Sequence, residues 1–193
     1  DGITLFASFL RKSNRTLRHS SLLLLYALAR TLRMNTFPEV YTTLFHELSI
    51  LVSDSDLHLC HLSFLLMSVC ILVYPANATL FKEILYPKIR VLLKSPLLQG
   101  NALDALLELF PLFVGGNEGT IDEILRDLLA QSNDASLGKQ SSISIAKCYA
   151  VVTTQCSPPK QKQIIEGFLK DIQNPRQGWG FILSLLCLGE IGR

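Results

Sequence analysis

His58, Cys60 and His61 open one apolar stretch and are of the types that bind zinc, with Asp54 and Asp56 just before them. Zinc asks for His and Cys side chains that converge, commonly at i, i+4 on a helix or in paired CxxC loops. His58 and His61 are three apart, and no fourth ligand is indicated. We read a polar helix start with partly exposed imidazoles in preference to a metal centre. Cysteine–histidine nucleophiles converge in space and not in sequence, so the five cysteines (60, 70, 148, 156 and 187) need the same weighing. None sits beside a glycine turn that would expose it, and Cys148 and Cys187 fall in apolar helix centres. They read as reduced, buried, small hydrophobic residues of a cytoplasmic or nuclear protein. The glycine-rich run Gly115-Gly-Asn-Glu-Gly119 lacks the lysine of a phosphate-binding loop and follows a helix, so it reads as an interhelical turn. Trp179, between Gly178 and Gly180, reads as a core aromatic or an interface anchor. This chemistry points to no enzyme, no cofactor, no metal and no small-molecule substrate.

The elements that would hold these residues are helical. Of 193 residues 49% are hydrophobic and only 18% charged, with leucine dominant, which favours helix and leaves ample surface to bury. A net charge of +2 gives no reason to expect nucleic acid. The charge is uneven, since Arg11, Lys12, Arg15, Arg18, Arg30 and Arg33 face a single acid, Asp1, in the first 33 residues. Positions 11, 15 and 18 are spaced to share one helical face, either a solvated edge or a surface for an acidic protein. No Asp, Glu, Lys or Arg occurs from Leu57 to Phe81, yet His58, His61, Pro75 and Asn77 interrupt that stretch. The strongly apolar run is then shorter than the roughly 20 residues of a membrane span, so a buried helix is expected. Asn14-Arg-Thr16 and Asn77-Ala-Thr79 match the glycosylation sequon, a short motif that often occurs by chance.

Polar breaks recur along the chain, and anchoring them on residues 13, 53, 95, 132 and 174 gives intervals of 40, 42, 37 and 42. Ser, Asn and Asp at the breaks can accept from the free N–H groups that open the next helix. Between breaks each repeat divides into two helices. The first helices are expected over residues 16–33, 56–74, 98–114, 139–155 and 178–191. The second are expected over 38–52, 79–93, 120–131 and 160–172, with a leading one near 3–11. Turns at 35–38, 74–77, 115–117 and 157–159 separate each pair, and Pro38 and Pro159 suit a helix's first turn. Phe81, Ile84, Leu85, Ile89 and Leu92 form an inward stripe, as do Ile164, Ile165, Phe168 and Ile172 in a later helix. Pro87 and Pro111 fall within helices and should kink them. Helix pairs of about 40 residues sharing one core describe an all-α, HEAT/armadillo-type α-solenoid of stacked antiparallel pairs. The repeats run 1–13 (a trailing helix), 14–53, 54–95, 96–132, 133–174 and 175–193 (partial). Apolar outer faces on the end helices lead us to expect further repeats on either side.

Five segments resemble a known family of long HEAT-repeat proteins. They are Phe9-Leu-Arg-Lys12, Ser53-Asp-Ser-Asp-Leu-His58, Ser95-Pro-Leu-Leu-Gln-Gly100, Lys139-Gln-Ser141 with Ser144-Ile-Ala-Lys-Cys148, and Leu185 through Gly192. In order and spacing they resemble the cullin-associated, neddylation-dissociated proteins, also described as TATA-binding-protein-interacting proteins. Gly178-Trp-Gly180 and the apolar Leu22 to Leu25 depart from that pattern, as in a divergent member. The resemblance implies a protein partner, a cullin with its RING subunit in the state lacking the ubiquitin-like modifier. It also implies a role in exchanging substrate-receptor modules on cullin–RING ubiquitin ligases. Family contacts concentrate toward the solenoid's ends, which leaves open whether this stretch touches the partner or sets curvature.

The expected function is a non-catalytic protein-binding scaffold, with no direct role for nucleic acid or membrane. Exposed positions on the second helices, Lys82, Lys88, Arg90, Arg126, Lys162 and Glu166, are the candidate contacts. A transport receptor or generic adaptor of the same fold is the alternative.

Overall fold

The computed structural model describes residues 2–31, 38–134, 136–173 and 179–192, with backbone alone at Pro38, Trp179 and Gly180. Arg33, the turn before Pro38, the break at Asn174-Pro175 and the side chain of Trp179 therefore lie outside the described residues. Among those described, every regular element is a helix. In chain order they are α1 (Gly2–Ser8) with a 3₁₀ turn (Phe9–Arg11), α2 (Arg15–Thr31), α3 (Pro38–Ser49) and α4 (Leu57–Val73). Next come α5 (Asn77–Leu80), a π-helical segment (Phe81–Leu85) and α6 (Tyr86–Leu92), which continue one another, and α7 (Gly100–Val114). The rest are α8 (Glu118–Ser132), α9 (Lys139–Thr153), α10 (Pro158–Gln173) and α11 (Trp179–Ile191).

Internal packing divides the chain into two compact units, Asp1–Phe113 and Val114–Arg193. In the first, α2 packs on α4, while α1 packs on α3 and α3 on the π segment. First helices therefore layer on first helices and second on second, the stacked-pair architecture of the HEAT class. In the second unit α9 packs on α8 and α11, and α10 on α11. Burial follows the same division. Helix α4 buries Leu59, Cys60, Ser63, Phe64, Leu66, Met67, Cys70 and Ile71, more than one stripe's worth, as a helix enclosed by neighbours must. Its 17 residues are described throughout, and no described helix is long and apolar enough to cross a membrane. The second helices are one-sided. Phe81, Leu85, Ile89 and Leu92 are buried and Ile84 half-buried, while Lys88 and Arg90 are exposed.

The breaks act largely as anticipated. Leu17 N–H donates to Asn14 Oδ1 at 3.0 Å and Leu59 N–H to Asp56 Oδ1 at 3.1 Å, capping α2 and α4. Thr120 N–H donates to Asn117 Oδ1 at 2.9 Å and caps α8. Gly115 and Gly116 have φ of 54° and 68°, the left-handed region that ends α7 cheaply only with glycine. Asn77 is 1% exposed, and its Nδ2 donates to Cys70 O at 2.9 Å, closing the end of α4. Its amide is therefore out of reach of a glycosylating enzyme in the folded chain.

Pro87 coincides with a change of helix type. A proline there lacks the N–H that would bond residue 83, and its ring crowds that carbonyl. The π segment lies immediately before it, with Tyr86 N–H donating to Phe81 O five residues back. One wider turn thus relieves the proline and keeps Phe81 and Leu85 buried. Pro111 sits within α7.

Two arginines of the N-terminal segment, Arg11 and Arg15, are ion-paired to the next repeat. Arg11 lies in the 3₁₀ turn, and Arg15 and Arg18 on α2, so the three do not share one helix face as their spacing suggested. Arg11 Nε donates to both carboxylate oxygens of Glu47 at 2.5 and 2.6 Å, and Glu47 is 2% exposed. Arg15 Nε donates to Asp56 Oδ2 at 2.5 Å. Ser95 Oγ donates to Asp54 Oδ2 at 2.6 Å, and His61 Nδ1–H to Asn101 O at 2.9 Å. In the second unit Lys160 pairs with Asp122. The separations are 36, 41, 41, 40 and 38 residues, about one repeat each. These bonds tie corresponding positions of successive repeats.

One of them carries a pH signature. Arg15's hydrogen bond holds the Asp56 carboxyl below its ordinary value of 3.8, against the opposing effect of burial and with help from Leu59 N–H. A depressed carboxyl stabilises the fold above its unfolded pKa and loses that contribution as pH falls through the folded value. Wild type and Asp56→Asn should therefore differ in urea stability near neutrality and converge as the pH is taken below about 4. A constant gap across that range would show the pair to be energetically idle.

Candidate protein-interaction surface

Among the described residues, the side chains singled out for chemistry are engaged in packing or hydrogen bonding. Cys60 is fully buried, His61 faces Asn101, and the His58 ring stacks on His19 with centroids 5.2 Å apart. Among the described residues no three His, Cys, Asp or Glu side chains converge as a metal site. All five cysteines are free and buried. Burial pushes Cys60, Cys70 and Cys187 up to about 12 and raises Cys148 and Cys156 as well, so the thiols stay protonated.

The surface offers contacts instead. Of the six candidate positions, Lys82, Lys88 and Arg90 lie along the π segment and α6 of the first unit. Lys82 is half-buried, whereas Lys88 and Arg90 are exposed. In the second unit Arg126 is exposed on α8. Lys162 and Glu166, on α10, face each other at 3.9 Å as an i, i+4 pair with 78% and 54% of their side chains exposed. Such an exposed pair contributes little to stability and leaves both groups accessible.

Lys88 also borders an open cleft of about 430 Å³. Ser49, Ile50 and Asp54 form one wall, Lys88, Val91 and Ser95 the other, over buried Val52 and Leu92. The cleft thus runs between the ends of α3 and α6, second helices of successive repeats. Val91 is 72% exposed and Ile50 54%, large for aliphatic side chains on a helix end. Sequence reasoning missed these two. Val91 falls outside the inward stripe of its helix, and an aliphatic residue off the stripe was the available signal.

No family model matches the sequence. Curated relatives do. The chain is 35% identical to a "Cullin-associated NEDD8-dissociated protein 1" of Dictyostelium discoideum over 198 aligned residues, covering 99% of this chain and 16% of that protein. It is 31% identical to the Drosophila melanogaster protein of the same name, over all of this chain and 17% of the relative. "Cullin-associated NEDD8-dissociated protein 2" of Mus musculus is 28% identical, again over all of this chain and 16% of its own length. The chain thus spans about a sixth of the relatives it matches. The chain, built of stacked helix pairs at about 40-residue intervals, is thus similar from end to end to a stretch of proteins named for cullin association.

Proposed function

We propose that this chain is a non-catalytic scaffold segment of a factor that binds a cullin with its RING subunit while the cullin lacks its ubiquitin-like modifier. Through that binding the factor takes part in exchanging substrate-receptor modules on the ligase. The observation that carries this reading is similarity along the whole chain to proteins named for cullin association. Geometry is in keeping with it, since exposed charge and an aliphatic cleft lie on second helices while the thiols are buried. Five unpaired thiols also suit the reducing cytoplasm or nucleus, where we place the protein.

Cross-linking mass spectrometry of the full-length protein with an unmodified cullin–RING complex tests it. Links from Lys82, Lys88 or Lys162 to the cullin are expected, and they should vanish when the cullin carries its modifier. Links confined to other parts of the protein would make this stretch a spacer. No complex at all would favour an adaptor or transport receptor with other cargo.

A further inference from the structure

The cleft between α3 and α6 has a polarity along its length. At one end stands Lys88, exposed and without an ion pair among the described residues. Val91, one helical turn on, and Ile50 opposite supply bare aliphatic surface. At the other end lies Asp54, whose Oδ2 accepts from Ser95 Oγ while the exposed carboxylate keeps further acceptor capacity. Lys88 lies on α6, and Ser95 stands three residues past that helix's end at Leu92. A cation, an aliphatic patch and an anion along one cleft are complementary to one kind of peptide surface. It presents a carboxylate, an aliphatic side chain and a cation at i, i+3 or i+4, and i+7, the spacing of one helix face.

We propose that this cleft docks such a helix of the partner protein, its acid on Lys88, its aliphatic side chain between Ile50 and Val91, and its base on Asp54. Sequence and structure favour an occupant from a partner over a neighbouring part of this chain. The aliphatic walls are flanked by charges of opposite sign, which a closed hydrophobic core would exclude and the edge of an interface keeps. The inference rests on the cullin-binding reading and adds a location and a chemistry to it.

The test measures affinity of the full-length protein for an unmodified cullin–RING complex at two salt concentrations. Val91→Asp and Lys88→Glu alter exposed side chains, so the helical circular dichroism and melting curve should be unchanged. Each should weaken binding about ten-fold, the loss typical of removing one significant contact. Lys88→Glu should also flatten the salt dependence. Leu72→Asp, at a 64% exposed position of α4 outside the cleft, should bind like wild type. Wild-type affinity in both cleft variants would overturn this docking site and leave the cullin-binding reading standing. Failure of wild type itself to bind would remove both.

Discussion

Raising the pH from about 8 to 10 should cost the fold on the order of 5 kcal/mol, enough to unfold it. The four most deeply buried thiols carry most of this cost. Cys60, Cys70 and Cys187 are pushed up to about 12 by burial, and Cys148, wholly enclosed, is raised too. In the unfolded chain each releases its proton near 9. A thiol that holds its proton longer in the fold contributes stability that is complete below the unfolded pKa and is lost as pH rises toward the folded one. Each thiol removes about 1.4 kcal/mol per pH unit in that window, and four acting together approach the whole stability of a typical domain. Helical circular dichroism followed during alkaline titration should fall cooperatively near pH 10. Cys148→Ala should reduce the slope of stability against pH by roughly a fifth, because one of five raised thiols is gone. An unchanged slope would show that the thiols are not the source.

Phe81→Ala should destabilise the first unit by about 3–5 kcal/mol, the usual cost of emptying a large aromatic site. Phe81 is fully buried, its ring 4.6 Å from that of Phe113, and Phe113 in turn meets Phe110 and Tyr86 at 5.2 and 5.8 Å. The residue also begins the π segment, whose width places the ring against α7. With a urea dependence of about 2 kcal/mol per molar, the midpoint should drop by roughly 2 M at constant slope. Leu72→Ala, at an exposed site, should leave the midpoint in place. A drop under about 0.5 M for Phe81→Ala would mean that the aromatic cluster closes over the gap, contrary to a tightly packed core.

The helices were legible because they rest on local rules: apolar spacing of 3.6, capping side chains at breaks, and prolines in first turns. Asn14 and Asp56 cap helices where the polar breaks fall, and Pro38 opens α3. What the sequence concealed depends on residues about 40 apart. Arg11 and Arg15 read as a solvated edge or a surface for an acidic protein, since nothing nearby neutralises them, yet Glu47 and Asp56 of the next repeat do so. Pro87 announced a disturbance but not its form, because a kink and a π turn both accommodate a missing N–H. The cleft was illegible for a related reason. Ile50 and Val91 become neighbours only when successive second helices pack, and each alone is an ordinary aliphatic residue.

Bonds that span one repeat also constrain how this protein can change over evolutionary time. Arg11 to Glu47, Arg15 to Asp56 and Asp54 to Ser95 measure out the chain like pegs, and inserting one residue inside a helix would rotate everything beyond it by about 100°. Side-chain identities can drift while the distance between pegs is held. Length changes should therefore collect in turns such as 115–117 or occur as gain and loss of whole repeats, and the wide turn at Phe81–Leu85 marks a place where a helix accommodates one residue too many.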